Sequence, residues 1–128
     1  MTRLSIVQGD TAILRIPVLN PDGTPISLAT FHGIYFTIKR SKYDSDFAAI
    51  FQGSLEDGDI EVVGEDADGI LDVTVPHTNT VQMRPGRPYY WDVELVEDET
   101  GAVATPCFGT IFAEGEVTQT IATGATGP

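Results

Sequence analysis

Three side chains in this sequence have the types that nucleophilic or acid–base chemistry uses most readily: Cys107, His32 and His77. A cysteine nucleophile needs a base within hydrogen-bond reach, and no local motif pairs Cys107 with either histidine. His32 falls in a strand pattern and His77 at the start of a helical turn, settings in which a histidine serves as a surface or core residue. Glu56, Asp57, Asp59 and Glu61, followed by Glu65, Asp66 and Asp68, would suit a hard cation such as calcium in residue type. Their spacing does not suit it. Asp57-Gly58-Asp59 and Asp66-Ala67-Asp68-Gly69 each run straight into an apolar segment, without the glutamate that closes a calcium loop. They read as solvated acidic turns that also discourage edge pairing. A lone cysteine excludes a disulfide within the chain and any zinc site built on several thiolates. The expectation is a protein with no catalytic residues, no metal and no cofactor.

Charge points the same way. Residues 1–55 hold Asp10, Asp22, Asp44 and Asp46 against Arg3, Arg15, Lys39, Arg40 and Lys42, a net of +1. Residues 56–128 hold fifteen acidic residues against Arg84 and Arg87, a net of -13, and no basic residue follows Arg87. Such a surface repels phosphate backbones, so nucleic acid is not an expected partner. Neither a phosphate-cradling glycine loop nor a basic stripe interleaved with aromatics is present. No apolar run is long enough for a membrane-spanning helix, and Met1-Thr2-Arg3 leads into polar alternation rather than a signal-peptide core, which predicts synthesis in a cytoplasm. With 128 residues, 41% of them hydrophobic, the chain can bury a core without a staple.

The elements that must position any site are read from period-two alternation. After a short opening strand at Leu4-Ser5-Ile6-Val7, the segment TAILRIPV sets Ala12, Leu14, Ile16 and Val18 on one face. Pro17 places that strand at a sheet edge or a bulge. Asn20-Pro21-Asp22-Gly23 supplies turn chemistry at each position. Ile34, Phe36 and Ile38 then share a face, and SKYDSDF, residues 41–47, reads as a polar loop ahead of a strand over residues 48–55. Ile60-Glu61-Val62-Val63 and GILDVTV follow as strands, with Asp-Gly turns between them. HTNTVQM predicts one helical turn, its threonines and asparagine suited to capping. RPYYWDVELV is the clearest amphipathic strand, with Tyr89, Trp91, Val93 and Leu95 on one face. Strands at 102–105, 107–113 and 116–121 complete the chain, Pro106 interrupting the first two. Seven to nine short strands and no long helix predict an all-β fold, an antiparallel immunoglobulin-like β-sandwich with one short helical turn; a small barrel is the alternative. Without a disulfide-bearing cysteine pair, Trp91 and the aromatic set must fill the space between sheets. The sandwich is expected over residues 1–121. Residues 122–128, ending TGATGP, read as a flexible tail or as the first steps of a collagen-like stalk.

Several stretches in this order resemble small β-sandwich modules of tailed bacteriophages, especially the N-terminal domain of upper baseplate and tail-fibre proteins. Gly9 and Asp10 open the pattern, Asp22, Gly23 and Pro25 form its turn, and Lys39 and Arg40 end a strand. Pro85, Gly86, Tyr89 and Tyr90 then lead into the strand that carries Asp92. The resemblance covers residues 6–121. It implies a virion structural protein, made in the host cytoplasm, that docks on tail, baseplate, neck or head and anchors or forms part of a fibre. Its partners would be other virion proteins and further copies of itself, three of them if it anchors a fibre. A capsid decoration protein and, in another class, a carbohydrate-binding receptor module are the alternatives. The candidate contacts to acidic neighbours are Lys39, Arg40, Lys42, Arg84 and Arg87. Tyr43, Phe47, Phe51 and Tyr90 look exposed and read as interface or packing residues rather than as a sugar platform.

Overall fold

A computed structural model describes residues 2–115; the strand expected at 116–121 and the TGATGP ending lie outside these residues. The described chain is all-β with one short helical turn. Its elements are β1 (Thr2–Val7), β2 (Ala12–Pro17), β3 (Phe31–Lys39), β4 (Phe51–Ser54), β5 (Ile60–Val62), β6 (Ile70–Val75), α1 (His77–Thr80), β7 (Pro88–Glu97) and β8 (Val103–Glu114). Five strands form one sheet in the order β1-β8-β7-β3-β4, and three form another in the order β2-β6-β5.

The alternation read from the sequence sets which faces meet. Ile34, Phe36 and Ile38 of β3, Tyr89, Trp91, Val93 and Leu95 of β7 and Ile111 of β8 point inward from the larger sheet. Leu14 and Ile16 of β2, Ile60 of β5 and Leu71, Val73 and Val75 of β6 join the same cluster from the smaller one. No cross-link is needed at its centre. Trp91 stacks on Phe36 at 5.9 Å between ring centroids, and Phe51 meets Phe36 at 6.3 Å with its ring tilted. Such ring pairs add about 0.5–1.5 kcal/mol each beyond their area burial. β7, which has the clearest amphipathic pattern, is the middle strand of the larger sheet. Pro17 ends an edge strand, where its missing N–H breaks no ladder.

The chain changes sheets between β6 and β7, and one tyrosine fixes that crossing. Tyr89 is fully buried at the start of β7, and its hydroxyl accepts the Arg84 backbone N–H at 2.6 Å. Thr80, at the end of α1, is equally buried. Its Oγ1 donates to the Asp10 carbonyl at 2.7 Å and accepts the Gly9 N–H at 3.1 Å, which ties α1 to the β1–β2 turn. At the opposite end Gly69 has φ of 63°, and a Cβ there would lie 2.6 Å from the Ile26 carbonyl oxygen. Only glycine fits that approach of the β5–β6 connection to the segment after β2.

Five expectations need correction. The ladder between β1 and β8 is parallel, not antiparallel, because the chain leaves β1 for the other sheet before β8 is made. The segment containing Pro106 is one continuous strand: a bulge sets Thr105 and Pro106 opposite Glu94, so the proline sits where the ladder is already interrupted. β4 begins only at Phe51, since Asp46–Ala48 form a 3-10 turn. Pro76, not a threonine or asparagine, precedes the first helical residue of α1, with no side-chain cap. Finally, Phe51 is buried rather than exposed.

Replacing Tyr89 by Phe keeps the ring and removes the acceptor for the Arg84 N–H. The expected loss of stability is about 1 kcal/mol, read as a lower urea midpoint with an unchanged slope; an unchanged midpoint would mean that this bond does not hold the crossing.

Candidate functional site

Strand register gathers the candidate contacts. Lys39, the last residue of β3, pairs with Tyr90 near the start of β7. The β3–β4 connection, residues 40–50, and the α1–β7 connection, residues 81–87, therefore leave the sheet at the same end. Lys39, Arg40, Lys42, Arg84 and Arg87, drawn from two separate segments, share that end of the molecule. The opposite end is acidic. Asp98 N–H donates to the Thr30 carbonyl and Leu28 N–H to the Asp66 carbonyl, both at 2.9 Å, bringing the β7–β8 and β5–β6 connections beside the start of β3. The turns there carry Glu65, Asp66, Asp68, Glu97, Asp98 and Glu99, with no lysine or arginine among their residues. The charge imbalance along the sequence thus becomes a charge separation along the strand axis.

The five cations are held differently. Lys39 is largely covered, its Nζ 2.8 Å from Asp46 Oδ1 and 2.8 Å from the Asp44 carbonyl oxygen. That ion pair, together with a hydrogen bond from Gln52, holds the Asp46 carboxyl below the usual aspartate range. Lys39 acts as the clamp of the β3–β4 loop rather than as an open contact. Arg40 and Arg84 are exposed. Lys42 is exposed with its Nζ 5.9 Å from the centre of the Tyr90 ring, and Arg87 stands 5.9 Å from that of Tyr89. The clamped loop displays Tyr43 and Phe47 almost wholly to solvent, at 90% and 104% relative exposure. Tyrosine, phenylalanine and arginine, all present in this loop, are residue types enriched at protein interfaces. Arg3 is a sixth cation near this face, 4.2 Å over the Phe112 ring; parallel pairing with β8 puts it there, which no local pattern signals. Arg15 is elsewhere: on β2 it makes a two-pronged contact with Asp72 at 2.8 and 2.9 Å, which raises the guanidinium and lowers the carboxyl.

The outer face of the larger sheet carries a second group. Thr37, Asp92 and Phe108 lie in one row across β3, β7 and β8, and Lys39, Tyr90 and Thr110 in the next. They line a hollow of about 270 Å³ together with Lys42. Asp92 is half-buried in it. Burial pushes its carboxyl above the usual aspartate range, with Lys39 opposing the shift and Asp46 reinforcing it. A larger hollow of about 510 Å³ opens where β1 leaves residues 103–108 of β8 uncovered; among the described residues that line it, Arg15, already held by Asp72, is the one that is charged.

The residues named for possible nucleophilic chemistry are not brought together. His32 sits at the bulge that opens β3, 2.7 Å from Asp98, whereas His77 lies on α1 at the other end. Cys107 pairs with Val93 and packs against the core. Burial, with a smaller contribution from Asp92, pushes its thiol up to about 11.

Two outcomes follow for the titrating groups. At neutral pH Cys107 should react with iodoacetamide about 100-fold more slowly than an unperturbed thiol, as two pKa units of lost thiolate imply; reaction at the free-thiol rate would contradict its burial. The folded-state Asp92 pKa lies above its unfolded value, so its contribution to stability is fully present below the unfolded value and is lost as pH rises through the folded one. Asp92→Asn should therefore raise the melting temperature at pH 7 and leave it unchanged at pH 3, whereas equal shifts at both would show that charge burial is not the cause. Comparison with protein-family models finds no match, and comparison with curated proteins finds none either.

Proposed function

We propose that this domain is a bacteriophage virion structural protein, without enzymatic activity, that docks on the particle through its basic end. The observation that carries the docking surface is the exposure of Tyr43 and Phe47 beside Arg40 and Lys42 on a loop that the Lys39–Asp46 ion pair holds in place. An acidic, partly apolar surface on a neighbouring virion protein fits that end: the rings would supply buried area and the cations orientation and encounter rate. The acidic end would then face away and repel a second domain docking the wrong way round.

The fold reading that goes with this role is an immunoglobulin-like sandwich. Three features support it. The strands divide five against three with a change of sheet between β6 and β7. The first strand runs parallel to the last. Tyr89 also accepts a backbone N–H five residues upstream, as the tyrosine corner of such sandwiches does. In this reading Trp91, two residues on and stacked on Phe36, would stand where the disulfide-bearing members have their second cysteine. The virion assignment itself rests on the sequence resemblance. A fibre anchor would assemble as a trimer, and a capsid decoration protein would bind heads in place of tails.

The test is binding of the purified protein to isolated phage tails and heads across a salt series. Arg40→Glu with Lys42→Glu, and separately Phe47→Ala, should each weaken binding tenfold or more while leaving the melting temperature unchanged, and added salt should weaken the unsubstituted protein. Binding to tails would assign the anchor role and binding to heads the decoration role. Binding that ignores both substitutions and salt would remove the basic end as the docking surface.

A further inference from the structure

We propose that the hollow on the outer face of the five-stranded sheet is a binding site for a neutral saccharide. Its floor is the paired centre of the sheet, where β7 bonds to β3 on one side and β8 on the other; only its margin at Thr105 and Phe108 belongs to the stretch of β8 that β1 leaves unpaired. Across the floor, recognition comes from side chains. Tyr90 and Phe108 frame Asp92: Phe108 lies directly across the ladder from it, and Tyr90 stands two residues along β7, about 7 Å away. Phe108 is more than half exposed. Two rings on either side of a carboxylate suit a pyranose, whose C–H face is apolar and whose rim carries hydroxyls.

The charges select the ligand class. Asp92 accepts no hydrogen bond from the described residues, and burial has partly stripped its water. An anion entering the hollow would meet that carboxylate. A cation would meet Lys42 and the fixed ammonium of Lys39. A neutral ligand that both donates and accepts satisfies the two signs at once: its hydroxyls donate to Asp92 and accept from Lys42, with Thr37 and Thr110 able to do either. Lys42 is exposed on a four-carbon stem, so its ammonium can leave the Tyr90 face to reach a ligand oxygen. The volume of about 270 Å³ holds one sugar ring and leaves the chain free to continue along the open face. This site shares Lys39 and Lys42 with the base of the docking loop but not Tyr43 or Phe47, and it needs no virion partner, so its test does not depend on the docking reading.

The experiment uses the 128-residue protein, biotinylated and clustered on streptavidin, on an array of neutral and charged oligosaccharides. NMR titration of the unclustered protein with each sugar that binds then maps the site. At least one neutral sugar should bind saturably and shift the amide resonances of Tyr90, Asp92, Phe108 and Thr110. Asp92→Ala and Tyr90→Ala should each weaken that binding at least tenfold, while Phe47→Ala leaves it unchanged. Melting curves of the variants separate lost binding from lost folding, and Asp92→Asn, which keeps the side-chain shape, should also weaken binding. An array with no neutral hits, shifts confined to another face, or preference for charged sugars would each overturn the proposal.

Discussion

The rest of the structure depends on how the chain crosses from the three-stranded to the five-stranded sheet, and Tyr89 fixes that crossing. Its ring fills the space between the sheets at the start of the central strand, while its hydroxyl reaches back to the Arg84 backbone. A buried phenol without a partner would cost free energy. The turn between α1 and β7 is therefore held in the one path that satisfies it. That path sets the register in which Lys39 meets Tyr90, and it carries Arg84 and Arg87 to the same end as the β3–β4 loop. Core packing and the arrangement of surface cations share one cause.

The alternating strands were legible because each is buried on one face. Trp91 and its neighbours on β7 announce their inward side as plainly as any segment here. Asp22-Gly23 and Asp68-Gly69 likewise announce turns through the positive φ that their glycines adopt. Less was legible where the decisive partner is distant in sequence. Phe51 follows a polar loop and gives no local sign that its ring packs on Phe36. Thr80 and Asn79 have the chemistry of helix caps, yet the Thr80 hydroxyl serves the Asp10 carbonyl and the Asn79 amide serves that of Ile50. Pro106 read as a break because a proline ends an ideal ladder; the bulge opposite Glu94 lets the strand continue past it.

The candidate site shows the same division. Residue type alone picked out Lys39, Arg40, Lys42, Arg84 and Arg87, and the fold supplies what type cannot: a common end for all five and different work for each. Lys39 lies inside the loop it organises, so its removal would loosen the display of Tyr43 and Phe47 more than it would delete a contact. Arg3 reaches the sheet face only through a parallel ladder between the first and last described strands. The hollow around Asp92 was not foreseen as a site, because its members lie on three strands and acquire meaning only when the register aligns them.

The most direct test of the docking account is hydrogen exchange of the protein free and on its assembled particle. The account predicts slowed exchange confined to residues 40–48 and 84–87, with the acidic turns near Asp66 and Glu99 unchanged. Slowed exchange at those acidic turns, with the 40–48 loop as open as in the free protein, would contradict it.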